Sequence, residues 1–507
     1  MLVAILVIGC VPLRSDYVKR ESTALPAATD TSSARYIQSE LERHPEQSGF
    51  RLLANNTSAL MSRVTLADHA EHSIDLQYFI FENDATGRLV AQRLLAAADR
   101  GVRVRVLLDD FELSDEYDLF DAMNAHENVE VRVFNPFRTR APPMPIKAIE
   151  LLLEWRRLNR RMHNKSFIVD NDVAIVGGRN IGNDYFDAGS SSNFRDLDVI
   201  AIGPVVADAS RSFDDYWNSD AAFPITAFGK KRDPQRDLSR VRDALAHDAR
   251  QFAQTDYAQA ALEKLSGATA DARGAWFWGS AVLIADQPEK ANGKEERALR
   301  IVPRIKTFIG DAQSEVQLIS PYFVPGDSGT SLLTELAQRG VAVKVLTNSL
   351  ATTDRPSAHS GYVHYRRKLL EGGVQLYELK PARRATESPT TGETNSSLTL
   401  HAKAVVVDRR LAFIGSMNMD QRSRVLNTEM GVIVDCPELA RTIAEFFDRA
   451  TQPDDAYRVE LQESSHNMIW TANEDGASKT YHFEPQANPE RRLKVMLLRW
   501  LPIEGLL

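Results

Sequence analysis

The sequence predicts an α/β fold made of two duplicated halves, and three observations lead to it. Strand-like and helix-like segments alternate in β-α-β order. That order occurs twice at a nearly constant offset. Each copy runs into the same short polar motif.

The first copy begins with SIDLQYFIF at 73–81, a strand pattern. GRLVAQRLLAAADRG follows, with apolar residues at helical spacing and Gly101 placed as a C-cap. VRVRVLL at 102–108 is again a strand, so the unit predicts a parallel sheet. In the second copy EVQLISPYFV, SLLTELAQRG and VAVKVLT repeat the series and end their helix at Gly340. Gly101 to Gly340 spans 239 residues, and His163 to His401 spans 238. NVEVRVFNPF and GVQLYELKP stand at matching places ahead of the two motifs.

These segments divide the chain. Residues 1–35 read as a signal stretch and tether, 36–225 as the first half and 226–300 as a helical and loop connector. Residues 301–455 read as the second half, and 456–507 as an extension with a basic amphipathic segment opened by Asn488 and Pro489. The segment KPARRATESPTTGETNSS at 380–397 reads as a mobile loop. IKAIELLLEW at 146–155 is either a core or interface helix or an apolar lip against a membrane. RRLNRRM before His163 is either a solvated surface or an anion-attracting rim.

Of the 507 residues, 43% are hydrophobic and 26% charged, enough apolar material for large cores. The formal net charge of −8 argues against nonspecific binding of nucleic acid. Cys10 and Cys436 are the only cysteines, which excludes a disulfide framework and Cys/His zinc spacing. MLVAILVIGC is too short to span a bilayer, which takes ~20 apolar residues. It ends like the lipobox of bacterial lipoproteins, which makes Cys10 the candidate lipidation site, although no Lys or Arg precedes it.

The motifs are HNKSFIVDNDVAIVGGRN and HAKAVVVDRRLAFIGSMN, both H-x-K-x4-D-x6-G-[GS]-x-N. Alternate residues of a strand share a face, so His163 points with Lys165 and His401 with Lys403. Asp170 and Asp408 fall at the turn into the next strand and are read as bracing the motif. Gly177 and Gly415 read as turn positions. A small-residue pair there lets Asn180 and Asn418 return beside the His/Lys ends.

The chemistry this favours is attack on a phosphodiester. One neutral imidazole can be the nucleophile, and a second, protonated one can donate to the leaving oxygen. Lysines and asparagines would hold phosphoryl oxygens and do the electrostatic work a metal does elsewhere. Each histidine needs a carboxylate to fix its tautomer. Asp196 and Glu429 are the candidates, with Asp198 the rival in the first half.

On these motifs, and on DLQYFIF, RGVRVRVLLDD, LNRRMHNKSFIVD, VGGRNIGNDYF, DLDVIAIGPVV, LYELKP and VLNTEMGVIV, the chain resembles bacterial cardiolipin synthases of the phospholipase D superfamily over about residues 40–507. The resemblance implies two α/β/α sandwich halves with one active site in the cleft between them. It implies a phosphatidyl-histidine intermediate on His163, with His401 as general acid and base, and neither metal nor cofactor. The substrates would be phospholipids at a bacterial membrane surface, with phosphatidylethanolamine or phosphatidylglycerol as donor and phosphatidylglycerol as acceptor. Gly178 departs from Ser416, which implies one phosphate hydrogen bond fewer in the first half. Hydrolysis by a phospholipase D, a phosphodiesterase or a nuclease would use the same ten residues. A membrane scaffold with a vestigial site is the non-enzymatic alternative.

Overall fold

The computed structural model describes residues 17–27, 29–113, 116–137, 144–189, 192–228, 233–267, 276–294, 300–381, 383–388, 392–462, 465–500 and 505. Cys10 and the apolar N-terminal stretch lie outside the described residues.

Both halves use one strand order. In the first it is Val129–Phe134, Arg103–Asp109, Ser73–Tyr78, Ser166–Val169, Val173–Gly177, Asp198–Ile202 and Ser48–Leu53. In the second it is Gln375–Leu379, Ala342–Asn348, Glu315–Ile319, Ala404–Val407, Leu411–Gly415, Met430–Asp435 and Phe277–Ala285. The first three strands of each series run parallel, as the β-α-β pattern requires. The motif strands run antiparallel to them, so each sheet is mixed where the sequence predicted a parallel one. A tight hairpin follows each motif strand, and only antiparallel neighbours can be joined that way.

The two sheets meet like to like. Ser48–Phe50 pairs antiparallel with Phe277–Gly279, giving one continuous sheet of 18 strands among the described residues. Helices Pro204–Asn218 and Pro437–Ala450, each with a proline in its first turn, lie on the inner faces. Phe213 and Trp217 of the first and Ile443 and Phe447 of the second belong to a single apolar core shared by both halves. Separate cores lie under the outer helices of each half.

Four segments outside the duplicated strand series take more structure than the sequence suggests. The tether is docked along 17–25: Arg105 and Asn218 donate to Ser22 O, Arg132 to Arg20 O and Asn171 to Leu25 O. Buried Arg105, already paired with Asp75 by two 2.7 Å bonds, has donors left over, and this segment accepts one. The connector is also divided. Helix Pro234–Ala253 covers the first half through Leu238, Leu245 and Phe252, whereas Phe277–Ala285 opens the second sheet. The 380–397 segment forms a hairpin, Arg383–Ser388 with Gly392–Leu400, and the latter strand pairs in parallel with Ser192–Arg195 of the first half. The C-terminal extension adds Ala456–Leu461, Met468–Glu474 and Ala477–Tyr481 to the second sheet before helix Pro489–Leu498.

Candidate active site

Each motif histidine sits in an extended segment just before its strand, and each segment is stitched to the other half. His163 N donates to Thr428 O, and Thr428 N donates to Arg161 O. His401 N and Ala402 N both donate to Arg195 O. These bridges carry the neighbouring carboxylates across. Glu429 Oε2 lies 2.8 Å from His163 Nδ1, and Asp196 Oδ2 lies 2.5 Å from His401 Nδ1. Each imidazole is thus oriented by a carboxylate from the opposite half, leaving its Nε2 for chemistry.

Both histidines line one cavity of about 390 Å³, together with Asn180 and Asn418. Lys165 and Lys403 are buried beneath it, and each ammonium donates to the carbonyl of its own motif histidine. Lys403 Nζ also stands 3.0 Å from His401 Nδ1. Asn180 is braced, giving its amide to Tyr185 Oη at 2.8 Å and accepting from Ile80 N. Asn418 is buried with its Oδ1 unpaired. Aromatic rings pack on both imidazoles: Phe79 lies 5.1 Å from His163, and Tyr185 and Phe194 lie 5.2 and 5.0 Å from His401.

Asp198 is not the orienting group. It accepts from Arg63 at 2.9 Å and pairs with Arg179 at 3.2 Å inside the first half. Asp170 and Asp408 are not in the cavity either. Asp170 accepts from the backbone N of Glu71, His72 and Ser73, and Asp408 from Gln313, Ser314 and Glu315. Both start the hairpin turn with positive φ, at the far end of the motif strand, roughly 20 Å from the histidine at strand rise. Although they belong to the motif, they hold backbone at the hairpin end of its strand and do not reach the cavity. Asp170→Ala leaves three backbone N–H groups without this acceptor, and of these only that of Ser73 is buried. It should cost about 2 kcal/mol of unfolding free energy by urea titration while the folded fraction keeps its turnover number.

The glycines are also reassigned. Gly177 and Gly415 end strands at ordinary φ. A Cβ at Gly177 would come within 2.5 Å of Asp198 Cα, and one at Gly415 within 2.3 Å of Met430 O. They are close-approach positions rather than turn positions. A Cβ at Gly178 would lie 2.3 Å from Asp196 Oδ1. Its counterpart Ser416 places its Oγ 2.5 Å from Glu429 Oε2. The Gly/Ser difference therefore acts on the carboxylates, and the expected loss of a phosphate hydrogen bond does not follow.

That difference is part of an electrostatic asymmetry. Burial pushes the Glu429 carboxyl up to about 7, against the nearby Lys165 ammonium and the Ser416 hydroxyl. Burial acts on Asp196 too, but His401 and Lys403 outweigh it and hold that carboxyl below the usual range. Burial and the two lysines lower His163 well below an ordinary histidine. Burial and Lys403 lower His401 to about 4, with Asp196 opposing them. Desolvation brings Lys165 to about 7 and Lys403 to about 8. The protein's own groups therefore favour neutral imidazoles over marginal ammonium groups. A bound phosphate would offset the lysine charge and raise all four.

Sequence reasoning did not identify Tyr322, Asp354, Arg355 and Arg422 on the cavity wall. Tyr322 Oη donates to Asp354 at 2.7 Å, and Arg422 reaches across to Asn159 Oδ1 at 2.9 Å. No motif marks them: Tyr322, Asp354 and Arg355 come from irregular segments of the second half and Arg422 from its short helix Gln421–Val425, far apart in sequence. The basic run before His163 is mostly structural. Arg161 is buried against Asp109, and Arg160 donates to Lys290 O. Among the described residues no group of three or more His, Cys, Asp or Glu could hold a metal ion.

A family model described as "Cardiolipin synthase, PLD-like domain" matches residues 64–217 and 305–451, the two halves that carry the motifs. The chain belongs to that family. Cardiolipin synthase C of Escherichia coli (strain K12) is 38% identical over 475 residues, 92% of this chain and 97% of that protein. A cardiolipin synthase of Staphylococcus aureus is 24% identical over 388 residues, 75% of this chain and 62% of its own. Among solved structures, phosphatidylserine synthase of Haemophilus influenzae aligns with a TM-score of 0.57 at 13% identity, covering 93% of this chain and 99% of that one. This last likeness bears on the fold, two phospholipase D-like halves around one cleft.

Proposed function

We propose that the protein transfers a phosphatidyl group from a donor phospholipid, phosphatidylethanolamine or phosphatidylglycerol, to phosphatidylglycerol, and so makes cardiolipin. The observation that carries this reading is the pair of crossed His–carboxylate contacts opening on one cavity, in a chain 38% identical to a cardiolipin synthase. His163 Nε2 attacks phosphorus, and the P–O bond to the donor headgroup breaks. His401 gives a proton to that departing oxygen. Neutral His401 then takes the proton from a phosphatidylglycerol hydroxyl, whose oxygen attacks phosphorus and releases His163. The roles follow from the asymmetry. An ionised Asp196 supports a proton on His401, whereas a Glu429 near its titration point supports one on His163 less. The test is lipid mass spectrometry of a cardiolipin-deficient bacterium carrying the parent chain or His163→Ala. Cardiolipin with the parent alone is expected, and phosphatidic acid in its place would favour hydrolysis.

Transfer also needs an acceptor that outcompetes water, and groups held in line reach effective molarities of ~10⁵ M or more. A bilayer supplies that acceptor. No helix among the described residues is long and apolar enough to cross a membrane. Two helical stretches are instead suited to lie on one. Ile149, Leu152, Leu153 and Trp155 are exposed on 144–158, where Trp155 also lines the catalytic cavity. Leu493, Met496, Leu497 and Trp500 are exposed at the C-terminal helix. That helix should not be deleted as a test, because Arg491 Nη1 holds Leu350 O, Ala351 O and Thr353 O beside the cavity loop. Leu497→Glu with Trp500→Glu should reduce sedimentation with phosphatidylglycerol liposomes and raise the ratio of phosphatidic acid to cardiolipin several-fold. A soluble double variant with the parental ratio would remove the membrane from this account.

A further inference from the structure

The second half contains a cavity larger than the catalytic one, about 510 Å³, between helices Ile301–Gly310 and Gly326–Gln338. Its walls are apolar, with Val302, Ile305, Leu332 and Leu333 on the helices and Met417 and Met419 on the floor. The duplication supplies an internal reference. In the first half the equivalent helices, Asn56–His69 and Ala85–Asp99, pack directly on each other, and Pro234–Ala253 covers the second of them. In the second half the pair comes close beside Gly310, where a Cβ would lie 3.8 Å from Leu332, and leaves a cavity elsewhere. One architecture is thus closed in one copy and open in the other.

Two features indicate what fills it. The polar groups at its rim are mainly cationic: Arg300, Lys306 and Arg424 line it, with Arg160 reaching Val425 O at the same edge. Among the described residues its one lining carboxylate, Asp420, is turned onto Ser423 N at 2.7 Å. An apolar chamber under a cationic rim complements an amphiphile with an anionic head and a hydrocarbon tail. The cavity is also joined to the catalytic centre. Met417 and Met419 flank the motif residue Asn418, and Asp420 lines both cavities.

We propose that this cavity seats one acyl chain of an anionic phospholipid, with its phosphate at the Lys306–Arg424 rim. The ligand class rests on the lipid-substrate reading above, and the site stands on its own geometry. An occupied chamber would press on Met417 and Met419 and so set the position of Asn418 at the reacting phosphate.

The test is photolabelling of the full chain with lysophosphatidylglycerol bearing a diazirine at the tail end, mapped by peptide mass spectrometry. Label is expected in peptides covering 302–333. Leu332→Trp and Val302→Trp fill the chamber from opposite walls, and each folded variant should lose at least about five-fold of that label. Lys306→Ala with Arg424→Ala should weaken labelling by this probe and spare a diazirine lysophosphatidylcholine. Label confined to the catalytic cavity, or unchanged in both tryptophan variants, overturns the site. Cardiolipin formation is assayed separately. Labelling of 302–333 without cardiolipin synthesis supports the site and overturns the functional reading. Synthesis without labelling does the reverse.

Discussion

His163→Ala should abolish both cardiolipin formation and the covalent phosphatidyl-enzyme, a loss of about 10⁴-fold or more in turnover. His401→Ala should lose about 10²–10⁴-fold, the range for a missing acid-base group, yet still accumulate some intermediate because the nucleophile remains. The two imidazoles look alike in sequence and differ in surroundings. His163 faces a carboxyl pushed up to about 7, and His401 faces one held below the usual range. The measurement is retention of a radiolabelled phosphatidyl group on protein denatured at alkaline pH, which preserves phosphohistidine. Label trapped in His163→Ala and absent from His401→Ala would reverse the roles. Most activity surviving in either variant would remove the composite site.

What could be read from the chain was local or periodic. The strand runs, the helix-ending glycines and the doubled motif are properties of short windows, and the folded halves keep them. His163 with Lys165 and His401 with Lys403 follow from a two-residue period. What was less legible depends on contacts between segments distant in sequence, within a half as well as between the halves. The carboxylates Asp196 and Glu429 were found as candidates, but in-chain spacing cannot show that each crosses to the other half's histidine. The Gly178/Ser416 difference was read as a phosphate contact because the neighbouring strand that brings the carboxylate to it was not visible. Asp170 and Asp408 are legible as bracing residues at the turn, but the segments they brace, 71–73 and 313–315, are not. The 380–397 segment is polar enough for a loop, and its pairing partner Ser192–Arg195 lies about 200 residues away.

Glu429→Gln and Asp196→Asn should both lower turnover by about 10²–10⁴-fold, the scale for a histidine left in the wrong tautomer or without its counter-charge. Their pH profiles should differ. Above about 7 Glu429 is ionised, accepts the Nδ1 proton of His163 and leaves Nε2 its lone pair. Below about 7 the carboxyl holds its own proton, the Nδ1 proton loses its acceptor, and kcat/KM should fall. At the other end, loss of the lysine protons, Lys165 at about 7 and Lys403 at about 8, removes charge from the phosphate site, so the parent profile should be a narrow bell. Glu429→Gln should erase the acid limb. It should also move the alkaline limb to lower pH, because the Glu429 charge helps hold the protons on Lys165 and Lys403. Asp196 is ionised throughout that range, so Asp196→Asn should keep the acid limb near 7 while turnover collapses. It too should shift the alkaline limb down, since Asp196 is the leading charge that supports Lys403. Asp198→Asn should act differently again, weakening the buried pairs with Arg63 and Arg179 and lowering stability with the profile unchanged. An acid limb that survives in Glu429→Gln would show that this carboxylate only packs against His163. An acid limb lost in Asp196→Asn would mean that the two halves have been assigned the wrong way round.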